Sequence, residues 1–187
     1  MSLILNIDTA SENAHVSLAK NGLILHTLHN ESQKEHASFL QTAIQQLTKS
    51  AGINLKEFDA VAVTAGPGSY TGLRVGMASA KGLCYALKKP LITIGTLEVL
   101  TASALQLFPT SNKDLLYCPM MDARRMEVYT AVYDSTLKLK TEIQALIVDE
   151  NSIQPYSQYP NIRFFGDGMN KCKDILSQLN HAGFIEG

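Results

Sequence analysis

Apolar residues open the chain as a block, "LILNI", closed by Asp8, the mark of a short buried strand. Between residues 15 and 30 the pattern alternates on either side of Asn21-Gly22. That dipeptide accepts the positive φ values of a two-residue hairpin turn, so the first three strands are predicted as an antiparallel meander. Over residues 35–52 the period lengthens: His36, Leu40, Ala43, Ile44 and Leu47 share one helical face, and Gly52 is the expected stop. "FDAVAVTAG" is nearly all apolar, as in a central strand covered on both faces. A helix is then expected from a cap at Thr71 to about Leu87, ended by Pro90. Along it Gly72, Gly76, Ala80 and Cys84 recur every four residues, a narrow face that lets another backbone come close. "PLITIG" is expected to form another buried strand.

The second half repeats the alternation of periods. "TLEVLTASALQLF" predicts a helix stopped near Pro109, "LLYCPMMDARRMEVYTAVYD" a strand, turn and strand, and "LKLKTEIQALIVD" further strand-like alternation. Residues 151–161 form a polar loop with two prolines, and "IRFFGDGMNKCKDILSQL" predicts a strand, a glycine turn and a helix. The order β-β-β-α-β-α-β over the first 95 residues predicts an α/β fold, a mixed sheet packed by helices. A second, related unit is expected to start near residue 97.

Composition narrows the function. The formal net charge is −1, with 45% hydrophobic and 18% charged residues. This argues against a protein that grips nucleic acid by itself, which needs a basic surface. The three cysteines, Cys84, Cys118 and Cys172, are widely spaced and form no C-x-x-C, so they are expected as buried thiols in a reducing compartment. The N-terminus lacks a basic region, and no apolar run reaches the ~18 residues of a membrane span. A cytoplasmic protein with no membrane contact is expected.

Candidate chemistry centres on "AVTAGPGSYTGLRVGMASAKG", residues 62–82, with five glycines. Such a loop between strand and helix can cradle phosphate, with Gly66, Gly68, Ser69 and Thr71 supplying amides and hydroxyls; Asp8 reads either as an acid that orients a metal-bound water or as a turn-former before Thr9 and Ser11. The loop can equally be a tight turn, or a close-packing element. It matches neither the P-loop nor G-x-G-x-x-G. Ser69 lacks the glycine two residues earlier that G-x-S-x-G requires. No H-x-x-x-H occurs among the five histidines, so no metal site is expected, and His36 reads as a packed or interface residue. Asp122, Arg124 and Arg125 form a charged turn, able to hold a phosphate or a partner's carboxylate, or simply to be a solvated hairpin tip.

Taken together, "LILNIDTA", "GPGSYTGLRVGMASAKGL" and "PMMDARRMEVY" closely resemble the bacterial TsaB family, also called YeaZ, with the likeness running from residue 1 through "FFGDG" at 164–168. The resemblance implies an actin/Hsp70/hexokinase-like (ASKHA, ribonuclease H-like) fold of two related units, residues 1–96 and 97–187. It implies a non-catalytic scaffold that activates a TsaD-like catalytic paralogue in making threonylcarbamoyladenosine next to the tRNA anticodon. A TsaE-like ATPase is expected in the larger complex, and tRNA contact only through that complex. No catalytic residue, metal or tightly bound cofactor is expected, with ATP or ADP only at an interface with partners. The expected interface comprises His36, Leu40, Ala43, Ile44, Leu47, Gly72, Leu73, Gly76, Ala80 and Cys84, and self-pairing into a homodimer is expected when the partner is absent. The resemblance also implies a returning terminal helix that this chain does not include. The rival readings are a glycoprotease-like peptidase, a stand-alone ATPase, and a nucleotide-binding module whose ligand regulates assembly.

Overall fold

The structure, a computed structural model, describes residues 2–31 and 35–186. It divides into two compact units, residues 1–96 and 97–187. In unit 1, β1 (Leu3–Asp8), β2 (Ala14–Lys20) and β3 (Leu23–Asn30) form the expected meander, with Asn21 at φ 53° and Gly22 at φ 81° in the turn. Next come α1 (His36–Ala51), β4 (Ala60–Thr64), α2 (Tyr70–Leu87) and β5 (Leu91–Ile94). The sheet order is β3-β2-β1-β4-β5, with β4 and β5 parallel to β1.

One face of this sheet is apolar: Leu3, Leu5 and Ile7 of β1 alternate inward with Val16 and Leu18 of β2. Leu40, Ala43, Ile44 and Leu47 of α1 and Ala80 and Cys84 of α2 cover it. Gly52 closes α1 at φ 65°, as expected. Two details differ from the sequence reading. The α2 cap is Ser69, whose hydroxyl accepts from the Gly72 amide, because the chain is already helical at Tyr70, one residue before Thr71. Strand β5 is not buried: it is the sheet's edge, and Ile92 is 38% exposed.

Unit 2 contains β6 (Leu116–Asp122), β7 (Glu127–Thr130), β8 (Gln144–Ile147), β9 (Ile162–Phe165), α4 (Met169–Leu176) and β10 (Ala182–Phe184), after α3 (Thr96–Leu107), which begins at the last residue of unit 1. Its sheet order, β10-β9-β6-β7-β8, read from the other end, repeats that of unit 1, with the same parallel and antiparallel pairs. This doubled mixed sheet is the two-unit α/β architecture expected from the sequence. The expected polar loop contains a short 3-10 turn, Gln154–Gln158, started by Pro155. The alternation over 137–149 yields only the four residues of β8, because Leu139 bridges Tyr133 instead. Strand β10 carries no strong pattern of its own. It forms because its backbone adds to the parallel edge of β9. All three cysteines are buried free thiols, and burial pushes Cys118 up to about 12. No helix among the described residues is long and apolar enough to cross a membrane.

Candidate functional site

The candidate site of unit 1 is built where β1 ends. Asp8 is the last strand residue, and its Oδ1 accepts from the Ala10 amide at 3.0 Å, folding the chain into an Asx turn. The same oxygen accepts from the Thr64 hydroxyl at 2.9 Å, at the end of the neighbouring strand β4. Asp8 thus fixes the turn against the strand that leads into the glycine loop.

That loop runs from Gly66 to Ser69, with Gly66 at φ 107° and a cis Gly66-Pro67 peptide. Gly68 has φ 151°, and a Cβ there would fall on the Ala10 carbonyl. The Ser69 amide donates to that carbonyl at 2.7 Å. Two amides at the start of α2 are taken by protein groups: the turn after β1 occupies the Ser69 amide, and the Ser69 hydroxyl takes the Gly72 amide. Thr9 completes the joint. It is fully buried, and its hydroxyl donates to the Gly72 carbonyl at 2.8 Å. Added Cβ atoms at Gly72 and Gly76 would land on the carbonyl and hydroxyl of Thr9. The small-residue face exists so that α2 can approach the end of β1.

This corrects the expected partner surface. His36, Leu40, Ala43, Ile44, Leu47, Gly72, Gly76, Ala80 and Cys84 are all buried within the unit. His36 ties the turn to α1 through a 2.9 Å bond between its Nε2 and the Glu12 carbonyl. Periodicity picks out the face a helix buries, and here that face belongs to the unit's own core. Of the expected set only Leu73 is half-buried, where it lines an open groove of about 390 Å³ with Thr64, Tyr70, Arg74, Met77 and Lys81. What α2 presents outward is Tyr70 (74% exposed), Arg74 and Tyr85 (90% exposed). The Arg74 guanidinium lies 5.4 Å from the centre of the Tyr70 ring and donates to its hydroxyl. The available signal was that these large residues lie off the small-residue stripe.

Unit 2 holds the counterpart. Asp122 ends β6, and its Oδ1 accepts from the Arg124 amide at 2.5 Å, the same Asx turn as at Asp8. Gly166-Asp167-Gly168 stands where Gly66-Pro67-Gly68 stands, with Gly166 at φ 98°. The Gly168 amide donates to the Met120 carbonyl, and Asp167 accepts from the Asp122 amide. Lys171 donates to Asp122 at 2.9 Å and to the Glu127 carbonyl at 2.7 Å. The Lys171 hydrogen bond, helped by the Arg124 amide, holds the Asp122 carboxyl below the usual range. Arg124 and Arg125 both sit at positive φ, 75° and 46°, with exposed side chains and no ion pair among the described residues. Sequence reasoning found the charged turn but missed Asp167 and Lys171. The doubled Gly-x-Gly spacing was the signal for them.

The family model "TsaD: tRNA N6-adenosine threonylcarbamoyltransferase" matches residues 26–175. Relatives named tRNA threonylcarbamoyladenosine biosynthesis protein TsaB match at 29% identity in Bacillus subtilis, over 79% of this chain and 61% of the relative, and at 34% in Escherichia coli, over 70% and 54%. The chain belongs to the TsaB/YeaZ family, paralogues of TsaD. The solved structure "YeaZ from Pseudomonas aeruginosa" superimposes with a TM-score of 0.70 at 29% identity, covering 79% of this chain and 68% of that one. A second, described as an uncharacterized protein with similarity to peptidase YEAZ, gives 0.77 at 26% identity, covering 92% and 79%. The chain spans a little over half the length of the B. subtilis and E. coli TsaB relatives.

Ser69 acts as a helix cap, with its hydroxyl oxygen accepting from Gly72. Among the described residues no group of three or more His, Cys, Asp or Glu is gathered for a metal ion.

Proposed function

We propose that this chain serves tRNA threonylcarbamoyladenosine formation as a non-catalytic subunit, acting by holding a TsaD-like catalytic paralogue. The supporting observation is the bond that ties the glycine loop to the turn after β1. Where a nucleotide-binding relative would keep amides open for phosphate, the Ser69 amide here is bonded to the Ala10 carbonyl. The docking surface in this reading is the outward side of α2 and its groove, with Tyr70, Arg74 and Tyr85 as anchors, since Tyr and Arg dominate interface energetics. Without its partner the same surface pairs two copies about a two-fold axis. ATP or ADP enters only at an interface with partners, a TsaE-like ATPase joins the larger complex, tRNA is met through that complex, and the setting is the cytoplasm.

The test is co-purification with the TsaD paralogue of the same cell, followed by reconstitution of the tRNA modification. The expected result is a stable complex, with modification only when both proteins are present. Full modification by the paralogue alone, or peptide or ATP turnover by this chain alone, would overturn the reading.

A further inference from the structure

The hairpin carries two histidines that the proposed role does not use. His15 on β2 and His29 on β3 are direct cross-strand partners. Their rings stack at 6.0 Å between centroids with 28° between planes, and both side chains are exposed. Spacing from the Asn21-Gly22 turn alone would set His15 against Leu28. The irregularity between Leu18 and Ala19 takes up one extra residue of β3 and brings His29 into place. Val16 and Leu18 point into the core, so His15 lies on the opposite face, free of α1 and α2. His15 is also the register partner of Asp8 on β1, and Glu31 Oε1 lies 4.0 Å from His29 Nε2.

We propose that His15 and His29 form a binding site for a borderline divalent metal ion of the Cu²⁺, Ni²⁺ or Zn²⁺ class, with Glu31 as the carboxylate donor. Residues directly opposed on antiparallel strands have Cβ atoms about 4.5–5.5 Å apart. A metal–imidazole bond is about 2.0–2.1 Å, so modest rotation of the two rings lets one ion bridge them. Imidazole and carboxylate donors suit these ions and disfavour Ca²⁺ or Mg²⁺. The described residues gather no ready-made group of three ligands. The two rings are therefore the fixed donors, Glu31 arrives by side-chain rotation, and water completes the shell. A bound ion links β2 to the edge strand β3, and so stabilises the hairpin.

The experiment titrates the untagged full chain with Cu²⁺ alone and Ni²⁺ alone, by calorimetry and by electron paramagnetic resonance of the copper form. One equivalent is expected to bind, with nitrogen couplings from two imidazoles and a raised melting temperature. Replacing His15→Asn or His29→Asn is expected to weaken binding by at least the ~10-fold that even an outer-shell partner is worth. His26→Asn, on the other face opposite Leu18, leaves it unchanged. All three side chains are exposed, so the variants are expected to fold. The proposal fails if no stoichiometric ion binds, if both His15→Asn and His29→Asn bind as the wild type does, or if His26→Asn abolishes binding.

Discussion

The two units share a strand order but differ in the side chains that the helix after Gly-x-Gly turns inward. In each, the first strand ends in Asp and is followed by an Asx turn, and the fourth strand passes through Gly-x-Gly into a helix. Counted from that Gly-x-Gly, the positions held by Gly72 and Gly76 in unit 1 are held by Cys172 and Leu176 in unit 2, all four buried. In unit 1 the glycines let α2 touch Thr9. In unit 2 the larger side chains fill a core with Phe164 and Ile162. The same fold thus supports a tight joint in one half and an ordinary packed core in the other. The turns diverge as well: Asp8 is met by a hydroxyl, Asp122 by a lysine. What the halves share is backbone geometry. What differs is the chemistry laid on it, as expected when function is grafted on a fold.

Opposite substitutions at matched positions break the comparison most strongly. Leu176→Ala is expected to cost about 2–5 kcal/mol, because it opens a cavity at a fully buried position. Gly72→Ala should also destabilise, by about 1–3 kcal/mol, although it adds a single methyl, because that methyl would meet the Thr9 carbonyl. Denaturant unfolding of both variants checks the pair. A neutral Gly72→Ala would mean that α2 does not lie against Thr9.

These positions also mark how far the sequence could be read. The period-2 and period-3.6 patterns located the hairpin, α1, β4, α2 and α4, because burial of one face is written into spacing. The role of Gly72 and Gly76 was legible only as a need for closeness. What they approach is a threonine more than sixty residues earlier, a tertiary fact. The inward face of α1 and α2 was mistaken for an outward one because periodicity reports that a face is buried, not what buries it. Strand β10 escaped notice because a three-residue parallel edge strand draws its stability from its neighbour. The His15–His29 pair depends on a one-residue bulge that alternation alone does not reveal.

A smaller effect distinguishes unit 2 by its acid response. The Asp134 carboxyl is held well below the ordinary carboxylate range, first by the Thr136 hydroxyl and then by Lys140. The Thr136 and Lys138 amides add to this. The group is depressed in the folded state, so its contribution is fully present above an unfolded value of about 3.9 and is lost as pH falls through the folded value. Asp134→Ala should cost about 1–2 kcal/mol at neutral pH, the scale of hydrogen bonds to a charged acceptor in partial contact with water. The gap from wild type should narrow steadily below about pH 4. Parallel stability curves at pH 7 and pH 3 would show that the carboxylate does not contribute in this way.

The smallest effect on stability carries the most about function. Tyr85 is 90% exposed, and Arg74 is exposed with its guanidinium against Tyr70 on its own helix. Neither contributes to the core, so an Arg74→Glu, Tyr85→Ser double variant should stay within about 0.5 kcal/mol of wild type. If the outward side of α2 is the docking surface, the same change removes an aromatic anchor and reverses a charge, and capture of the TsaD paralogue should fall by more than tenfold, about 1.4 kcal/mol or more. A control change on unit 2, Arg124→Glu with Arg125→Glu, alters two exposed guanidiniums on the turn between β6 and β7. It should leave capture intact. If the unit 2 variant loses the partner while the α2 variant keeps it, the docking surface lies on the charged turn, and the outward residues of α2 are ordinary solvated side chains.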